Sequence, residues 1–137
     1  MNPPVTIDAS VFVSAFTPTE PAHQASKALM LNIREQSIPI IVPVLVLPEI
    51  SAALSRGQGK PELGKAFVKE LRNFPNTTFI DVDEIVANLA VDISANNRLR
   101  GSDAVYAAVA LRFGTELITL DREQLDRLPK VLSVKTP

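Results

Sequence analysis

The chain alternates between short runs of apolar, β-favouring residues and longer stretches whose apolar positions recur every three or four residues. Five runs have the first character: Val5, Thr6 and Ile7 ahead of Asp8; residues 38–42; residues 77–80 ahead of Asp81; residues 116–120 ahead of Asp121; and residues 131–134. Between them the spacing predicts helices over residues 8–16, 46–56, 60–73, 83–96 and 101–114. A further helix is expected from an N-cap at Thr19 through His23, Leu29 and Ile33 to the break at Pro39, and Pro48 is admitted to its helix only in the first turn. The stretch between Asp103 and Arg112 is almost wholly apolar, so that helix should be buried on most sides. Strands and helices in alternation imply an α/β protein, with a parallel sheet between two layers of helix.

Composition narrows the chemistry. At 137 residues, with 46% hydrophobic and 21% charged, the chain is expected to fold as a single domain over residues 1–137. The absence of Cys excludes a disulfide framework, a thiolate zinc site, an iron–sulfur cluster and a cysteine nucleophile. His23 alone cannot make a histidine-rich metal site. A net charge of −1 gives no global attraction to nucleic acid, so any basic footprint must be local, and with no Trp and one Tyr, base stacking cannot dominate affinity. The longest uncharged stretch, residues 36–48, holds three prolines and falls short of the ~20 apolar residues of a membrane span. No basic segment followed by an apolar one opens the sequence, so a cytoplasmic protein is expected.

Asp8 and Asp121 each close an apolar run. In an open parallel sheet, ligands bind outside the carboxyl ends of the strands, where strand order reverses, so both acids stand where function is expected. Asp81 carries less weight, because a third strand usually sits toward an edge. The plainer reading of each of these aspartates is that it merely caps the helix that follows its strand. Glu49 lies at the edge of the stripe formed by Val46, Leu47, Ile50, Ala53 and Leu54; it either borders the core or faces solvent and complements the helix dipole. Asp103 shares a helix face with Tyr106, Ala107 and Ala110, and either joins the crevice or serves the helix N-terminus in a capping or dipole role, with Ser102 or Asp103 as the cap. Carboxylates gathered at one crevice repel one another unless a cation lies between them. No Lys accompanies these motifs, and an all-oxygen donor set suits Mg2+ or Mn2+ and phosphodiester chemistry.

The four acids in their settings, VTIDAS, VLVLPEISAAL, SDAVYAAVALRFG and ELITLDRE, span nearly the whole chain and resemble the PIN domain family, in particular its small VapC-like toxin ribonucleases. The resemblance implies a three-layer α/β/α fold with a parallel sheet of about five strands in the order 3-2-1-4-5, which sets Asp8 and Asp121 on adjacent strands. It implies that Asp8, Glu49, Asp103 and Asp121 form an acidic pocket that binds Mg2+ or Mn2+ and cuts RNA. It further implies a small antitoxin protein as partner, and a homodimer. Ser10 and Thr119 match small hydroxyl positions of the family and either orient the carboxylates or bond locally to backbone. Asp92 reads as an outer acid or a solvated helix residue. Arg56, Arg98 and Arg100 flank the acid motifs as phosphate contacts or solvated charges, and His23 reads as a surface helix residue. Two other readings stand beside the toxin: a PIN-like module that binds protein or RNA without catalysis, and an RNA-processing nuclease without antitoxin. A phosphate-accepting receiver domain would need paired acids at the first strand, where Asp8 stands alone.

Overall fold

In the computed structural model, which describes residues 2–137, strand β1 (Val5–Ile7) leads into α1 (Ala9–Phe16) and α2 (His23–Glu35), and β2 (Ile40–Pro43) into α3 (Val46–Gln58) and α4 (Pro61–Arg72). Strand β3 (Thr77–Ile80) leads into α5 (Glu84–Asn97) and α6 (Gly101–Phe113), β4 (Glu116–Ile118) into α7 (Arg122–Arg127), and β5 (Val134–Lys135) follows. The five strands form one parallel sheet in the order β3-β2-β1-β4-β5, the order the resemblance implies. The chain steps one way from β1 to β3 and then returns to β4 on the other side of β1. Right-handed crossovers therefore send α1 through α4 to one face and α5 through α7 to the other, giving three layers. The reversal falls between β1 and β4, where Ile7 pairs with Ile118.

Ile7, Phe12, Ile40, Val42, Ile50, Leu117 and Ile118 fill the core around the sheet. Helix α6 lies across β1, β2 and β4 and packs on α5. Ala104, Ala107, Ala108 and Ala110 are all buried on it, and their small side chains let its backbone come close to the strands.

Three local expectations differ from what is found. Thr19 is exposed in a turn closed by backbone hydrogen bonds from Glu20 to Thr17 and from His23 to Glu20; helix α2 starts only at His23, without a side-chain cap. The last strand is confined to Val134 and Lys135, because Val131 and Leu132 bond back to Leu128 in a turn around Pro129. The third difference is α7, which periodicity does not reveal because Leu125 is its single apolar residue.

Helices α3 and α4 meet at Gly64, which is buried. A Cβ there would lie 2.7 Å from the backbone oxygen of Ser51 and 2.7 Å from Ser55 Oγ. Alanine gains about 1 kcal/mol of helix propensity over glycine, but overpacking against backbone costs about 1–3 kcal/mol. Gly64→Ala is therefore expected to lower the melting temperature by a few degrees, read from a thermal unfolding curve.

Candidate active site

The carboxyl ends of β1 and β4 are stitched together by two hydroxyls. Asp8, buried at the end of β1, accepts hydrogen bonds at Oδ2 from Ser10 Oγ at 2.5 Å and from Thr119 Oγ1 at 3.1 Å. Each hydroxyl also accepts from backbone at the end of β4: Ser10 Oγ from the Leu120 N–H at 3.1 Å, and Thr119 Oγ1 from the Asp121 N–H at 3.0 Å. The two hydroxyls thus fix one oxygen of Asp8 and the backbone that carries Asp121. Both aspartates also cap helices, Asp8 toward the Ser10 N–H and Asp121 Oδ1 toward the Gln124 N–H. The capping role and a place at the crevice coexist.

Glu49 and Asp103 reach the same place from helices. Glu49, in the first turn of α3, accepts a hydrogen bond at Oε1 from the hydroxyl of Tyr106 at 2.5 Å. Tyr106 is fully buried on α6. Asp103, buried in the first turn of α6, accepts at Oδ1 from Gln124 Nε2 at 3.2 Å. Arg100 completes the arrangement: its Nε donates to Asp103 Oδ2 and its Nη2 to Asp121 Oδ2, each at 3.1 Å. Asp8, Glu49, Asp103 and Asp121 line one open cleft of about 540 Å3, together with Ser10, Arg56 and Arg100.

Burial raises the pKa of Glu49 above its ordinary value, with the Tyr106 hydrogen bond opposing and the charges of Asp8 and Asp103 adding to the rise. Asp103 is also raised by burial; the Arg100 hydrogen bond opposes, and Asp121 and Asp8 add to it. Burial keeps the Tyr106 hydroxyl protonated and so a donor to Glu49. The folded chain thus holds protons on Glu49 and Asp103 to higher pH than the unfolded chain does. Stability that these two groups withhold at neutral pH is regained as the pH falls through their raised values, and the gain is complete below the ordinary carboxylate range.

The remaining candidates lie elsewhere or serve differently. Asp81 is exposed beyond β3, an edge strand. Asp92 is exposed on α5 and borders a separate depression with Asn96 and Lys130. Arg98 caps the end of α5 in the left-handed conformation, φ 52°, and its carbonyl accepts from Arg127 at 2.5 Å, away from the acidic cleft. Arg56 lines the cleft but bonds its own helix at Ala52 O. His23 is half-buried rather than solvated, its Nδ1 2.9 Å from Ser14 O, so it fastens α2 to α1. Sequence reasoning missed the partners Tyr106 and Gln124, the bridging position of Arg100, and Glu20, an exposed acid that also lines the cleft. A second, largely apolar groove of about 630 Å3 runs between α1, α2 and α4, lined by Phe12, Phe16, Met30, Phe67 and Phe74 with Lys27 and Arg34 at its sides.

In a doubly wound parallel sheet, ligands bind outside the carboxyl ends of the strands where strand order reverses, and the four carboxylates line a cleft there. The chain belongs to the PIN domain family, whose model matches residues 5–131. Among solved structures it is similar to VapBC2 from Rickettsia felis bound to a DNA fragment from its promoter, at a TM-score of 0.71 and 14% identity over 98% of both chains. VapC20 of Mycobacterium tuberculosis, described as a sarcin–ricin loop cleaving toxin, gives a TM-score of 0.71 at 16% identity, over 89% of this chain and 94% of that one. VapBC-1 from nontypeable Haemophilus influenzae gives 0.69 at 12% identity over 97% of both chains. No curated protein shows significant sequence similarity to the chain. Among the described residues no helix is long and apolar enough to cross a membrane.

Proposed function

We propose that this protein is a metal-dependent endoribonuclease, the toxin of a toxin–antitoxin pair, acting in the cytoplasm at the cleft formed by Asp8, Glu49, Asp103 and Asp121. The observation that carries the reading is that four carboxylates from four separate elements line one cleft, each oriented by a hydrogen bond from the protein. Membership of the PIN domain family, and the likeness to a structure described as a sarcin–ricin loop cleaving toxin, support it.

The donor set suits Mg2+ or Mn2+: all four ligand candidates are carboxylates, and the one imidazole is engaged at Ser14. When bound, such an ion supplies Lewis acidity to a phosphodiester and lowers the pKa of water. Asp8, Glu49, Asp103 and Asp121 would hold it. Ser10 and Thr119 keep Asp8 turned toward the cleft, Tyr106 keeps Glu49 there, and Arg56 at the rim offers a charge to the RNA backbone. A small antitoxin is the proposed partner, its tail covering the cleft; one similar structure is described as a toxin–antitoxin complex and another as a member of a family of toxin–antitoxin systems.

One observation favours the second reading, a PIN-like module that binds without catalysis. Among the described residues no three His, Cys, Asp or Glu side chains converge closely enough to hold an ion as they stand, and Arg100 already neutralises Asp103 and Asp121. RNA hydrolysis by the purified protein separates the two. The nuclease reading expects cleavage of single-stranded RNA in Mn2+, none in excess EDTA, and a rate that falls as the pH drops through the raised values of Glu49 and Asp103, because protons then compete with the ion. RNA bound but left intact in Mn2+ would favour the module.

A further inference from the structure

Arg100 approaches the cleft from solvent. It is the residue immediately before α6, and its side chain is 69% exposed, whereas the side chains of its partners Asp103 and Asp121 are 10% and 19% exposed. The guanidinium takes the Oδ2 atom of each aspartate, while the Oδ1 atoms are held from within by Gln124, through its side-chain amide on Asp103 and its backbone N–H on Asp121. The two oxygens that Arg100 covers are therefore the ones not committed to the scaffold. Glu123 adds to the acidic surroundings that stabilise its charge.

A carboxylate oxygen in a charge-assisted hydrogen bond with a guanidinium is a poorer ligand for a second cation, and an arginine cannot yield by losing its proton. It can yield only by moving. An exposed ion pair is worth little to stability, so an arm that reaches in from solvent can leave with small loss. We infer that Arg100 is a resident counter-charge that occupies Asp103 Oδ2 and Asp121 Oδ2 in the ion-free protein and competes with the divalent ion for them. This rests on the reading that the cleft takes a divalent ion. Binding of the ion is then an exchange: the guanidinium leaves the two oxygens as the ion arrives, and repulsion among the acids stays neutralised in both states. Arg100 acts through the two aspartates and is in this sense a positioning residue.

The test is calorimetric titration of Mn2+ into the metal-free protein at fixed pH and ionic strength, for the wild type, Arg100→Gln and Arg100→Lys. A competitor predicts that Arg100→Gln tightens Mn2+ binding by roughly threefold to tenfold, the range of one exposed ion pair or slightly more. Arg100→Lys, which keeps the charge, falls between Arg100→Gln and the wild type. A role confined to holding the aspartates in shape predicts the opposite, weaker binding in Arg100→Gln. Equal or weaker affinity in Arg100→Gln with a cooperative melting curve overturns the inference, as does the absence of Mn2+ binding in both proteins. Tighter binding in Arg100→Gln with no RNA hydrolysis by either protein would sink the nuclease reading and leave the counter-charge standing.

Discussion

Asp8→Asn is expected to lower RNA hydrolysis by about two orders of magnitude or more while the protein stays folded. The substitution keeps the size and planarity of the side chain and removes its charge at the crevice between β1 and β4. Its amide oxygen can still accept from Ser10 and Thr119, so the stitch between the two strand ends survives. What is lost is a negative ligand. In the metal-free protein the same change removes repulsion from Glu49 and Asp103, whose pKa values Asp8 helps to raise, so the melting temperature should hold or rise. Single-turnover cleavage in saturating Mn2+, read beside a melting curve, checks both halves. Cleavage at the wild-type rate would show that Asp8 is not a ligand that matters.

Tyr106→Phe should have the next largest effect, a loss of about tenfold to a hundredfold in Mn2+ affinity or cleavage rate. The ring stays in a fully buried site and only the hydroxyl that holds Glu49 is deleted. Loss of this one partly buried hydrogen bond costs about 1 kcal/mol of stability, too little to unfold the domain. Because the hydroxyl lowers the pKa of Glu49, its removal lets burial and the neighbouring acids raise that pKa further. The pH dependence of Mn2+ binding should therefore move to higher pH. A defect in packing alone would leave that profile where it is.

Sequence carried the fold well where burial has a period. Apolar runs ending in aspartate identified β1 and β4, and the nearly unbroken apolar stretch after Asp103 identified α6 as a buried helix, which it is. The crossover order came with the family resemblance rather than from periodicity. Elements that depend on few apolar side chains were not legible: α7 rests on Leu125 and on the Asp121 cap, and the end of the sheet is set by a turn around Pro129. At the site, Asp8 and Asp121 stood out because a charge interrupts an apolar run. Glu49 was ambiguous because a residue at the edge of a stripe can turn either way. Tyr106 was hidden by its own helix, where its spacing marks a core position, and the partner of its hydroxyl lies 57 positions away in sequence. Arg100 gave no signal beyond proximity, since whether an exposed arginine faces phosphate or carboxylate is decided by residues 21 positions on.

The burial of α6 also bears on how the cleft opens. Its backbone amides are held by a helix with seven buried residues, lying against three strands, and should exchange with solvent hydrogen only through the rarest openings of the domain. Asp103 and Tyr106 ride on that helix. Asp121 stands instead at the head of a six-residue helix next to the two-residue strand β5, a segment anchored chiefly by Gln124 and Leu128, whose amides should exchange sooner. One wall of the cleft is thus expected to be nearly as durable as the protein and the other to open sooner, with Arg100 spanning the two.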